Sequence, residues 1–146
     1  MGPMKKRTFL LLEILLAFTL VIACAVPLVK QPLKLYKREM AHLIEVEQER
    51  LADWTFTEIK EMFLKNEIPW GKIPKHLENT GPFPLPPVQI EIPGCKSKRV
   101  ERSFRLYGKG ETEGSKNALF RQVYVYVILN GTEYEFRLPM QKLSLE

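Results

Sequence analysis

The chain has 146 residues, with 22 Lys and Arg against 17 Asp and Glu, and a formal net charge of +5 at pH 7. Apart from one long apolar stretch, the chain is long enough for one small domain but not for two. The basic residues are scattered among glutamates and form no continuous stripe, so the composition weighs against a nucleic-acid-binding surface.

Residues 1–8 form a short basic leader, and residues 9–29 are apolar almost throughout. At about 1.5 Å per residue, a helix of this length crosses a hydrocarbon layer of about 30 Å. About fourteen Leu, Ile, Phe and Val residues contribute roughly −4 to −8 kcal/mol to insertion. The one acid, Glu13, lies near the start and costs about 3 kcal/mol or less. Insertion is therefore favoured, and a carboxylate in a membrane is a candidate functional group.

Three processing fates are open for this N-terminal segment. In an ordinary signal peptide, Ala23-Cys24-Ala25 would be the small-residue cleavage site. In a lipoprotein signal, Cys24 would carry the lipid. In a prepilin, the chain would be cut before Phe9, and Glu13 would become the fifth residue. Cations lie on both sides of the span, including Lys30 and Lys34 after it, so charge alone does not predict the topology.

The run from Lys5 to Ala17, KKRTFLLLEILLA, resembles the N-terminal methylation motif of type IV pilins and type II secretion pseudopilins. The order of cationic leader, aromatic first residue, apolar triplet and glutamate carries the resemblance. That family usually has glycine before the cleaved bond, whereas Thr8 is found here. The pattern is thus also compatible with an uncleaved membrane anchor.

The resemblance implies a structural subunit, most like a minor pseudopilin, that works by assembly and not by catalysis. It implies processing at Thr8 and Phe9 by a prepilin peptidase, and an assembly role for Glu13. The implied partners are other pilin-like subunits, an inner-membrane secretion platform and the lipid bilayer. The implied location is the bacterial inner membrane, with one span and the soluble domain in the periplasm. A single-pass anchored envelope binding protein and a lipoprotein acylated at Cys24 are the alternatives.

Pro27 and Pro32 follow in the chain, and two interpretations of them are open. They mark the end of the membrane helix, or they lie inside a longer, bent helix of the kind that the pilin resemblance implies. Residues 30–66 then have helical periodicity, which predicts an amphipathic helix with one buried face. The predicted stripe consists of Met40, Ile44, Leu51, Ile59 and Met62, with Trp54 on one flank and Ala52 and Phe63 on the other.

Residues 67–146 are predicted to hold a proline-rich crossing and an antiparallel sheet. The seven prolines between Ile68 and Gly94 favour extended chain over helix, and we interpret this stretch as a connector. Alternation predicts one half-buried strand at Val88, Ile90 and Ile92. A second strand is predicted at Val100, Phe104 and Leu106, with Arg102 as an exception. The stretch from Gly108 to Lys116 is predicted as a polar loop.

A β-hairpin is predicted around Asn130-Gly131, because Asn-Gly between alternating runs favours a two-residue turn with positive φ at both positions. The register then pairs Leu129 with Thr132, and the apolar face is expected to pack on the amphipathic helix. Three further pairs follow on that face, Val127 with Tyr134, Val125 with Phe136 and Val123 with Leu138. The opposite face pairs Tyr124 with Arg137, Tyr126 with Glu135 and Ile128 with Glu133.

These elements predict an α+β fold, with a long N-terminal helix on a small antiparallel sheet. The sequence contains no recognisable catalytic motif, and no cofactor or metal site is predicted. His42 and His76 are isolated, which favours solvated or capping roles. Glu111 and Glu113 are interpreted as solvating a loop. Cys24 and Cys95 are not expected to form a disulfide.

Overall fold

A computed structural model describes residues 4–114 and 118–143, and it has the predicted α+β architecture. One long N-terminal helix precedes a four-stranded antiparallel sheet, whose strands lie in chain order. A single 3₁₀ turn at Trp70–Lys72 lies between helix and sheet. The main elements are α1 at Met4–Leu64, β1 at Asn79–Ile90, β2 at Lys98–Glu113, β3 at Ala118–Leu129 and β4 at Thr132–Leu143.

The chain divides into two units, Met1–Leu43 and Ile44–Glu146. Helix α1 is continuous through Pro27 and Pro32, so the interpretation of these prolines as the end of the helix was wrong. Each proline removes one backbone donor, which leaves the carbonyls of Ala23 and Leu28 without their usual helical partner. The helix ends at Leu64, two residues before the predicted end at residue 66.

The second unit has one core, between the C-terminal part of α1 and one face of the sheet. Ala52, Thr55 and Ile59 are almost fully buried, whereas Ile44 is only half-buried; Met40, which precedes this unit on α1, is also only half-buried. The buried face of the helix is therefore rotated from the predicted stripe toward the Ala52 side. Periodicity missed this rotation because a central position is the polar Thr55. From the sheet, the core receives Val100, Phe104, Leu106, Val123, Val125, Val127 and Leu129.

The hairpin of β3 and β4 has the predicted register at all seven pairs, from Leu129 with Thr132 to Val123 with Leu138. Asn130 has φ 47° and Gly131 has φ 87°, as a type I′ turn requires. The pairing extends further than predicted, to Ala118 and Leu143. The turn and the alternation of β3 are thus local signals that agree with the tertiary structure.

The predicted loop from Gly108 to Lys116 was wrong for its first six residues, which belong to β2. Residues 115–117 lie outside the described part of the chain. A β-bulge between Gly108 and Gly110 interrupts the register, and the pairing then resumes toward β3. Glycines and polar side chains predicted a loop here, although they form an irregular strand.

The proline-rich stretch is extended, as predicted, but it is more than a connector. Strand β1 includes Pro82, Pro84, Pro86 and Pro87 and pairs with β2, with two register shifts. This strand lies at an edge of the sheet, where proline is tolerated because one side of the strand needs no donors. Ile92 follows the end of β1 and is buried nonetheless.

Candidate functional site

The three residues predicted for processing and assembly all lie on helix α1. Thr8 and Phe9 are in consecutive helical positions, and Glu13 lies one turn after Phe9. Phe9 is 77% exposed. Phe9 and Glu13 contribute to one shallow, mostly apolar patch between neighbouring helical ridges. This patch is formed by Phe9, Leu12, Glu13, Leu16, Ala17 and Leu20.

The helix around these residues is long and apolar enough to cross a membrane. Its most apolar window has a mean hydropathy of 2.8, and none of that window is buried inside the protein. Thr19 is polar, but its hydroxyl donates to the backbone carbonyls of Leu15 and Leu16, at 3.0 and 2.9 Å. Such internal bonds satisfy a hydroxyl group without water. The surface of this segment therefore suits lipid or the helices of other chains.

Glu13 has no hydrogen-bond or ion-pair partner among the described residues. The positions three and four residues away on the helix are Phe9, Leu10, Leu16 and Ala17, and none of them can pair with a carboxylate. In an apolar medium such a carboxylate is costly. Within α1, a partner for Glu13 is therefore not available from the adjacent turns.

Both cysteines are exposed and free. Cys24 lies in the continuous part of α1, five residues after Thr19. Cys95 follows β1 in a turn, where its backbone N–H donates to the carbonyl of Ile92 at 2.9 Å. Neither residue is placed in a cluster with other metal-ligating side chains, since no such cluster occurs in residues 4–114 and 118–143.

The two histidines are not brought together with other candidate ligands in the described chain. His76 lies before β1, and its Nδ1 atom is 2.9 Å from the backbone oxygen of Lys109. This distance assigns the proton to Nδ1, which donates to the carbonyl. His76 thus connects the segment before β1 to the β-bulge of β2, which is a structural role.

Arg102, the exception in the alternation of β2, is buried against helix α1. Its Nη1 atom donates to Glu58 at 2.7 Å and to Thr55 Oγ1 at 3.1 Å. Its Nε atom donates to the backbone oxygen of Pro86 in β1 at 2.9 Å, and the guanidinium lies 5.1 Å from the ring centre of Trp54. One side chain therefore joins the helix to two strands.

Arg121 of β3 makes a second buried connection. Its Nε atom donates to Glu111, and its Nη1 atom donates to the backbone oxygens of Trp70 and Ile73 at 2.8 and 3.0 Å. Its guanidinium also lies 4.4 Å from the centre of the Trp70 ring. The interpretation of Glu111 as a solvating loop residue was wrong, and Glu113 is part of β2 as well.

These two arginine clusters are structural, because each arginine is surrounded by its acceptors and holds elements together. The sequence signal for Arg102 was its place in an apolar alternation, where a buried charge requires a partner.

Comparison with protein-family models, with curated proteins and with solved structures finds no match to this chain. The geometry of helix α1 therefore carries the functional argument.

Proposed function

We propose that this chain is a structural pilin-like subunit, most like a minor pseudopilin of a type II protein secretion system. It is anchored by α1 in the bacterial inner membrane, with the second unit, Ile44–Glu146 (the sheet domain), on the periplasmic side. It assembles with other pilin-like subunits and works without catalysis. The observation that carries this proposal is Glu13, a carboxylate with no partner among the described residues, in the apolar and exposed N-terminal part of α1.

Cleavage before Phe9 by a prepilin peptidase creates the group that Glu13 lacks. The new α-amino group is positive near neutral pH, and in an apolar environment it also needs a partner. A carboxylate and an ammonium group each cost several kcal/mol when they are desolvated alone. Pairing between Glu13 of one subunit and the Phe9 amine of the next relieves both costs at once. It also sets the stagger between neighbouring helices.

The architecture supports the same proposal. The chain continues from the apolar part of α1 into an amphipathic part without a break. From Ile44 onward the helix contributes to the core of the sheet domain. A subunit of this kind presents an apolar helix for lateral packing and a folded domain for contacts outside the membrane. The inner-membrane secretion platform is the further partner that this role requires.

The test is incorporation of Glu13→Ala into the assembly in cells that produce the remaining pilin-like subunits. We expect incorporation to fall by well over tenfold, since about 1.4 kcal/mol corresponds to a factor of ten. Incorporation is measured as the fraction of the chain recovered in cross-linked complexes. Thr19→Ala is the matched control, because the Thr19 hydroxyl is satisfied within its own helix.

The sheet domain must stay folded in the Glu13 variant, which tryptophan fluorescence reports through Trp54 and Trp70. Equal incorporation of Glu13→Ala and of the unmodified chain would show that the carboxylate is not an assembly group. A similar loss in the Thr19→Ala control would mean that any change in this helix disturbs insertion, and the pairing mechanism would then fail.

A further inference from the structure

The two edges of the sheet differ in their capacity to bind another strand. Strand β1 contains four prolines, none of which can donate a backbone hydrogen bond to an added strand. Strand β4, at the other edge, has twelve residues and one proline, Pro139. Its only strand partner in the described chain is β3. Natural sheets usually protect both edges, so a long edge with few prolines is a candidate binding site.

The hairpin register shows which backbone groups of β4 point outward. Leu129 and Thr132 close a two-residue turn and form a hydrogen-bonded pair. Bonded and non-bonded pairs alternate from there, so Tyr134 and Phe136 also bond to β3. The N–H and C=O groups of Glu133, Glu135 and Arg137 then point away from the sheet. Pro139 ends this row of donors.

An incompletely covered apolar surface accompanies the same edge. Tyr134, Phe136, Leu138 and Met140 pack on the core but are only half-buried. Phe136 stacks on Phe56 of α1, with ring centres 4.4 Å apart. These side chains point to the helix side of the sheet, so a fifth strand could cover them with alternate apolar residues.

A groove continues this surface toward the end of α1. Its volume is about 380 Å³, and Phe63, Ile68 and Trp70 line it together with residues 138–142 of β4. The indole Nε1 of Trp70 is buried and has no hydrogen-bond acceptor in the described part of the protein.

The charges of β4 indicate the chemistry of the partner. Glu133 is already paired with Arg105 at 3.0 Å. Arg137 lies over the ring of Tyr124 at 5.6 Å and has no carboxylate partner among the described residues. Glu135, the third charged residue of this outward row, lies opposite Tyr126, whose pKa is raised by burial and then by this carboxylate. Arg137 is the one cation of the row, so an added strand can place an acidic side chain opposite it.

We propose that β4 binds an extended segment of another protein, which adds as a fifth strand. The segment places apolar side chains beside Tyr134 and Phe136 and a carboxylate opposite Arg137. Backbone bonds to the outward groups of Glu133 and Glu135 provide affinity, and the alternating side chains provide specificity. This site lies wholly in the sheet domain, so it does not depend on processing of the N-terminus or on Glu13.

The test uses the full chain in detergent micelles and a synthetic peptide of about seven residues, the length of an ordinary strand. The peptide alternates valine with threonine and carries one aspartate on its threonine side. A second peptide has lysine instead of the aspartate. Hydrogen exchange of the backbone amides is followed residue by residue. We expect the aspartate peptide to slow exchange at Glu133, Glu135 and Arg137 by about tenfold.

Two test variants and one control variant make the result specific. Arg137→Glu should reverse the preference, so that the lysine peptide protects the edge better than the aspartate peptide. Arg99→Glu is the control, since it makes the same charge change on β2, away from this edge. Glu135→Pro removes an outward donor, as Pro139 already does nearby, and should abolish protection at an unchanged unfolding midpoint.

Three results would overturn the proposal. The first is the absence of protection at the β4 edge with either peptide. The second is equal protection by both peptides with no effect of Arg137→Glu, which would indicate unspecific adhesion. The third is protection without peptide that grows with protein concentration, which would identify a second copy of this chain as the occupant. The Arg137→Glu comparison decides the question even if Glu135→Pro does not fold.

Discussion

In the buried Arg102 cluster, we predict that a second substitution restores part of the stability that a first substitution removes. The Arg102 side chain is 2% exposed, whereas that of its partner Glu58 is 34% exposed. Breaking a buried pair from one side costs about 3–5 kcal/mol, because the remaining charge is left without compensation. Water reaches Glu58, and Arg102 keeps Thr55 and Pro86 as acceptors. We therefore expect Glu58→Ala to lower the free energy of unfolding by about 2 kcal/mol.

Removal of the arginine should cost less than removal of its partner. Arg102→Met keeps most of the apolar volume, and Glu58 can then be solvated. The Thr55 hydroxyl can turn to the carbonyl four residues before it. We expect a loss of about 1 kcal/mol for Arg102→Met, and a similar loss for the double variant with Glu58→Ala. The second substitution should therefore restore about half of the stability that Glu58→Ala removes.

Urea unfolding of the full chain in mild detergent measures these differences. Trp54 and Trp70, both in the sheet domain, report the transition by fluorescence. With a slope of about 2 kcal/mol per molar, Glu58→Ala should shift the midpoint by about 1 M. Glu101→Ala breaks the exposed pair with Arg99, where both side chains are over 60% exposed, and should change little. A double variant less stable than Glu58→Ala alone would refute the reasoning.

Three further predictions concern the sheet domain. Gly108→Ala should destabilise it by about 2 kcal/mol or more, since the added Cβ would lie 2.6 Å from the backbone oxygen of Pro74; urea midpoints test this. Gly131→Val should cost at least about 1 kcal/mol by the same measurement, because φ is 87° there. Burial, and then the Glu135 carboxylate, raises the pKa of Tyr126 above its usual 10.0. The folded state therefore holds this proton longer than the unfolded state, so stability should fall as the pH rises above about 10. Tyr126→Phe should reduce that fall, as unfolding at about pH 9 and about pH 11 would show.

The sequence predicted the elements whose signals are local. In the β3–β4 hairpin, Asn130-Gly131 determines the turn, and the alternation from Val123 to Leu129 determines the buried face. Two independent constraints thus select one register. The apolar composition of residues 9–29 likewise predicted a helix long enough to cross a membrane.

The predictions were wrong where a residue contacts a part of the chain that is far away in sequence. Gly108 was interpreted as part of a loop, but it lies inside a strand where the chain at Pro74 passes too closely for a side chain. Thr55 lies at the centre of the buried helix face, but its polar side chain did not fit the apolar pattern. It is buried because its hydroxyl accepts a hydrogen bond from Arg102, 47 residues away. Neither contact has a local signature, so periodicity alone could not find it.

For the functional residues, the sequence identified the group but not its partner. Glu13 is conspicuous in an apolar run, and the structure adds that the neighbouring turns of α1 offer it no cation. The open edge of β4 could not be predicted from the hairpin alone. It depended on the strand order and on the prolines that protect the opposite edge.

The central claim is that the chain is processed so that a positive terminus becomes available to Glu13. Its most direct test is the intact mass of the protein isolated from a membrane that contains a prepilin peptidase. We predict a mature chain that begins at Phe9 and carries a methyl group on that residue. A chain that still begins at Met1, or one acylated at Cys24, would contradict the account.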